Sequence, residues 1–168
     1  MPAGVTYEPI ATTTLSTGAS TITFSSIPST YTDIRLVFAL NTSSNNRAAY
    51  LRLNADTGTN YSQTFLSGDG TDALSSRYSN ATVFYFTDGG QSSTVPTFCT
   101  LDIFSYAGST NKTALQTVSG DKNGSGWVYR VVGLYRSTSA ITQILITTLN
   151  ADTFNAGTTA TLYGIKNA

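Results

Sequence analysis

The stretch Gly126–Arg136, GWVYRVVGLYR, is the longest clean alternation in the chain and carries its single tryptophan. Successive side chains of an extended strand point to opposite faces, so Trp127, Tyr129, Val131 and Tyr135 share one side. Val128, Val132 and Leu134 share the other, punctuated by Arg130 and Arg136. A strand apolar on both faces is expected in the middle of a packed sheet, in contact with a second layer. Gly133 leaves a gap on the aromatic face, where a neighbouring ring can approach closely. The stretch predicts the central strand of an all-β sandwich.

Outward from it, the remaining alternations supply the other strands. Asp33–Leu40 sets Ile34, Leu36, Phe38 and Leu40 on one face, and Ala48–Leu53 resumes the pattern after a polar run. Thr12–Ser16 and Ser20–Phe24, separated by Thr17-Gly18-Ala19, read as a hairpin. Pro28 ends that strand, because proline cannot continue a ladder. Asn54–Asn80 is the least regular part: Tyr61–Leu66 reads as a single helical turn and Ser67–Tyr78 as a surface loop. Strands resume at Ala81–Thr87, Thr97–Tyr106 and Lys112–Ser119. The glycine-rich loop Gly120–Gly126 leads into the organising strand, and Ile141–Leu149 and Thr158–Lys166 finish the fold. About ten strands with short turn-rich links predict a single antiparallel β-sandwich of jelly-roll type. Residues 1–16 form an arm with the first strands, and 17–168 the sandwich. LNADT occurs twice, at Leu53–Thr57 and Leu149–Thr153, but the flanking residues differ, so it reads as a shared turn solution. The expected core includes Leu36, Phe38, Trp127, Val131, Ile144 and Ile146, with Trp127→Ala costing about 3–5 kcal/mol.

Composition bounds the function. Charged residues make up 11% of the chain, nine acidic and nine basic, for a formal net charge of zero. No basic stripe is present for nucleic acid and no polybasic patch for anionic lipid. No segment is long and apolar enough to span a membrane. The start, MPAGVTYEPI, lacks the charged and apolar regions of a signal peptide, so synthesis in the host cytoplasm is expected. Ser and Thr together number about 50 of 168 residues, an exported-protein surface that release by lysis would reconcile with the missing signal.

Catalysis is poorly supplied, and no catalytic residue or cofactor is predicted. The chain has no histidine, the commonest general base, and Glu8 is its only glutamate. Glycoside hydrolysis needs two carboxylates flanking one bond, and no motif pairs the aspartates. Cys99 stands alone in an alternating stretch, as a small buried apolar residue. Asp56, Asn60, Asp69 and Asp72 lie in loops, where oxygen ligands suit calcium. Asp-Gly and Asp-x-Gly are equally the chemistry of tight turns, which is the preferred reading. Tyr61, Tyr78 and Tyr106, with Phe65 and Tyr85, are candidates to stack on a glycan, against the alternative that they pack in the core.

Several segments carry a resemblance. TYEPIATTTL, ITFSSIPSTYTDIRLV (Ile22–Val37), LNADTGTNYS (Leu53–Ser62), VGLYRSTSAITQI (Val132–Ile144) and TLYGIKNA are similar to small virion proteins of tailed bacteriophages, those of cyanobacteria included. The similarity runs from about Tyr7 to Lys166 and implies a structural role with no catalytic residue. The expectation is a capsid decoration or cement protein, a homotrimer on the virion exterior that contacts the major capsid protein or another virion protein. A symmetric oligomer engages several capsid subunits at once, so weak contacts add. Val5, Tyr7 and Ile10 in the arm are the candidate inter-subunit contacts. The alternative is a tail-fibre or baseplate tip that binds a host surface glycan.

Overall fold

Alternation is most literal in β3 (Asp33–Leu40), where Ile34, Leu36, Phe38 and Leu40 are buried and the residues between them half-buried. The computed structural model describes residues 6–44, 48–87, 92–149 and 152–166. Among the described residues there are twelve strands rather than about ten, and no helix. Before β3 come β1 (Tyr7–Thr14) and β2 (Thr21–Phe24), and after it β4 (Ala49–Leu53), β5 (Tyr61–Gly68), β6 (Ala73–Ala81) and β7 (Phe84–Thr87). Then follow β8 (Thr97–Phe104), β9 (Lys112–Asp121), β10 (Gly126–Tyr135), β11 (Ile144–Thr148) and β12 (Thr159–Ile165).

Two antiparallel sheets result. One has eight strands in the order β1-β12-β3-β8-β9-β10-β5-β6, and the other four in the order β2-β11-β4-β7. The chain shuttles between them: β2, β4, β7 and β11 go to the small sheet, and the intervening strands to the large one. The crossing connections give a sandwich-like arrangement, with the meander β8–β9–β10 lying between β3 and β5 in the large sheet. Eight strands span about 34 Å and four about 14 Å, so the large sheet overhangs the small one.

The organising strand β10 lies inside the large sheet, paired along its whole length with β9 and from Val128 to Tyr135 with β5. Its aromatic face points inward. The close approach expected at Gly133 is present: a Cβ there would lie 2.7 Å from Cε1 of Phe84, a ring that β7 brings from the small sheet. Tyr61 meets Phe84 edge-on at 5.0 Å and stacks on Tyr135 at 4.9 Å. The other face corrects the reading of two-sided burial. Val128 and Val132 are 54% and 49% exposed, because nothing in the described chain covers that side of the large sheet.

Leu36, Phe38, Val131, Ile144 and Ile146 are buried as expected. Trp127 is only half-buried, stacked on Tyr129 at 6.2 Å at the strand's end. It closes a row of rings, Tyr85, Tyr78, Phe65, Tyr129 and Trp127, with successive centroids 4.9–6.4 Å apart. The row seals the side where the large sheet runs past the small one.

Three local readings change. Thr12–Ser16 and Ser20–Phe24 are not a hairpin: β1 pairs with β12 and β2 with β11. The residues between them cross from one sheet to the other, tied at Ala19 to Phe154 by two backbone bonds of 3.1 and 2.8 Å. Tyr61–Leu66 is no helical turn and Ser67–Tyr78 no loop, since they form the β5–β6 hairpin. Their pattern is obscured by the polar Gln63 at an inward position and by the exposed, polar β6 on the sheet edge. Within residues 1–16, β1 is zipped to β12 with Tyr7 opposite Ile165 and Thr14 opposite Thr159. Glu8 fastens it, accepting from Lys166 Nζ at 2.7 Å and from the Tyr31 hydroxyl at 3.2 Å.

Gly133→Ala should lower the unfolding free energy by about 1–3 kcal/mol, the usual cost of overpacking a filled core. Trp127→Ala should cost less than Leu36→Ala, which removes a fully buried side chain and falls at about 2–5 kcal/mol. Urea denaturation checks both. A Gly133→Ala protein as stable as the parent would mean that Phe84 moves aside freely.

Candidate interaction face

Each strand of the large sheet turns half its side chains away from the core, and the register sets these outward residues in rows. Val128, Ser119 and Phe98 stand side by side on β10, β9 and β8, as do Val132, Leu115 and Asp102. Leu66 of β5 joins the row of Arg130 and Thr117. On this face Leu66, Val128, Phe98, Val132 and Phe104 are between 42% and 61% exposed. The polar residues among them are mostly tied to one another. Arg130 donates from Nη1 to Thr117 Oγ1 at 2.6 Å, and Arg35 grips both oxygens of Asp102 at 2.5 and 2.9 Å. Bound to its carboxylate, Arg35 has its pKa held above the ordinary value. The result is a broad, Thr-rich surface with large apolar side chains, on which Arg35 and Asp102 neutralise each other. Isolated apolar side chains on a surface are ordinary, and their concentration on one sheet face makes it the candidate interaction surface.

The residues singled out from sequence are dispersed. Tyr61 is fully buried, its hydroxyl donating toward Leu53 O and Asp56 O and accepting from Leu53 N at 3.0 Å. Tyr106 is likewise buried, its hydroxyl bonded to Pro28 O. Neither offers a ring face to a sugar, and Tyr78 is packed between Phe65 and Tyr85 in the sealing row. As glycan contacts Tyr61 and Tyr106 are corrected, since their rings are buried and their hydroxyls fix loops, while the half-buried Tyr78 has its ring engaged by Phe65 and Tyr85. Val5 lies outside the described residues. Tyr7 is 45% exposed beneath the Arg35 guanidinium, and Ile10 packs against the core.

The calcium candidates are not brought together. Asp56 sits before β5 and Asp69 and Asp72 after it, separated by about 25 Å of extended chain. Among the described residues no group of three His, Cys, Asp or Glu side chains is placed to hold a metal. Asp56 and Asp69 each anchor a turn. Asp56 accepts from Asn60 Nδ2 at 2.8 Å, Gly58 N at 2.7 Å and the Tyr135 hydroxyl at 3.0 Å. Asp69 accepts from Thr71 N and Asp72 N at 2.8 and 2.7 Å. Cys99 is buried, and desolvation pushes its thiol well above the usual range, away from nucleophilic use.

Two kinds of residue escaped the sequence reading. The exposed apolar residues escaped because alternation shows that a side chain is apolar, not what covers it. The buried Gln63 and Gln116 escaped because a lone Gln in a strand looks like an outward residue. Gln63 exchanges bonds of 3.0 and 2.8 Å with Tyr85 O and N, and Gln116 donates to Phe86 O at 2.7 Å. No protein-family model, curated protein or solved structure matches the chain.

Hydrogen bonds, led by that from Asn60, hold the Asp56 carboxyl below its ordinary pKa of 3.8. Its folded-state pKa is depressed, so its contribution is present above the ordinary value and lost as pH falls through the folded one. Asp56→Asn should therefore cost about 1–2 kcal/mol near pH 7 and lose part of the acid sensitivity of the parent. Urea midpoints between about pH 7 and pH 3 read this out, and parallel curves for the two proteins would remove Asp56 from the account.

Proposed function

We propose that this chain is a structural protein of a tailed-phage virion that decorates or cements the capsid exterior as a symmetric homotrimer. It works without catalysis, through the outer face of the eight-stranded sheet. The observation that carries the assembly role is the set of five large apolar side chains, 42–61% exposed, on that one face. A monomer keeping such a surface in water forgoes burial worth roughly 25 cal/mol per Å². A net charge of zero offers little electrostatic opposition to self-association. The virion setting rests on the sequence segments that resemble phage structural proteins. The contact surface moves from the arm to the sheet, because β1 is occupied with β12 and Ile10 with the core.

Leu66→Asp with Val132→Asp places two carboxylates on the face while leaving every core residue in place. Light scattering should show the parent as a trimer and the variant shifted to monomer, with melting little changed. Sedimentation with capsids that lack the protein should lose the variant at least tenfold. A parent that is a stable monomer, ignores capsids and binds host cells would sink this reading in favour of a tail-tip role.

A further inference from the structure

At one end of the large sheet the β9–β10 hairpin stands between the β5–β6 turn and the segment entering β8, and the three enclose an open groove of about 750 Å³. We propose that this groove binds a neutral saccharide. The site is distinct from the glycan candidates read from sequence, and it borders the proposed contact face, with which it shares Phe98 and Val128.

The volume lies within the range of small-ligand sites. Two aromatic residues line the groove from opposite faces of the sheet: Phe98, half-exposed on the outer face, and Trp127, half-buried at the start of β10 and stacked on Tyr129. Flat apolar rings suit the C–H faces of a pyranose. Much of the remaining wall is glycine. At Gly70 and Gly124, with φ of +90° and +119°, an added Cβ would meet nothing within 4 Å, so bare backbone borders open space. Two carboxylates line the groove, Asp69 and Asp121. Among the described residues their turns use Oδ1, which accepts from Thr71 N and Asp72 N in one case and from Asn123 N at 2.7 Å in the other. Oδ2 of each is the oxygen offered to a ligand hydroxyl.

The charge pattern narrows the class. No Lys or Arg is among the described residues lining the groove, so an anionic ligand would face two carboxylates without compensation. A metal would need further ligands, and no third acidic, Cys or His side chain completes a set among the described residues. A neutral sugar presents both an apolar face for the rings and hydroxyl donors for the carboxylates.

Trp127 is the only tryptophan, so its fluorescence reports groove occupancy directly. Maltohexaose, cellohexaose and chitohexaose, titrated separately into the full chain, should include at least one that changes the emission saturably. Binding should weaken tenfold or more in Phe98→Ser and in the double variant Asp69→Asn with Asp121→Asn. Asparagine keeps the Oδ1 acceptor and hence both turns, which an unchanged melting curve verifies. The inference is overturned if none of the three sugars gives a saturable change or if the variants bind as the parent does. It is also overturned if polygalacturonate binds equally well, or if calcium chloride alone reproduces the response.

Discussion

The small sheet ends at β7, and the outer backbone edge of β7 lies above the large sheet instead of in water. Every N–H and C=O on that edge must find a partner or lose about 1–3 kcal/mol. Gln63 and Gln116, reaching up from β5 and β9, supply what a fifth strand would otherwise supply. A primary amide matches a peptide group in donor and acceptor, so Gln63 pairs with Tyr85 in the manner of a strand neighbour. With β7 pinned there, Phe84 falls over Gly133, Tyr61 and Tyr135 pack around it, and the ring row seals the overhang.

The fold class was legible because most strands carry alternation strong enough to read without a structure. β3 occupies the residues its pattern marks, and Gly133 announces the close ring contact. The hairpin β5–β6 was not legible. Its inward positions include a glutamine, and its outer strand has almost no buried side to display. In β10 the alternation is right, yet the face of Val128 and Val132 is bare. Periodicity carries the direction of a side chain, while its cover is a property of how many strands each sheet acquires. The candidate sites fared worse for a related reason. Tyrosine and aspartate are bifunctional residues, and whether Tyr61 binds a sugar or caps a turn depends on contacts remote in sequence.

The chemistry of the chain is consistent throughout. Asp56 and Asp69 hold turns, Asp102 a guanidinium and Glu8 an ammonium, and the thiol is sealed in the core. Polar groups are spent on geometry. The apolar area of the sheet face and the shape of the groove both depend on a rigid scaffold to hold them.

The antiparallel partnership of β1 with β12 has a geometric consequence. Tyr7 stands opposite Ile165, so the chain enters and leaves the sheet at neighbouring points, about 5 Å apart. A short peptide would bridge that gap, making the molecule a natural subject for circular permutation, with new ends opened in an exposed turn. Register across the sheet places this doorway beside the Phe104 and Leu134 end of the strands, away from the Phe98 and Val128 end. The molecule therefore has two poles. Anything fused before β1 or after β12 would hang from one of them and turn the other, with its groove, toward the surroundings.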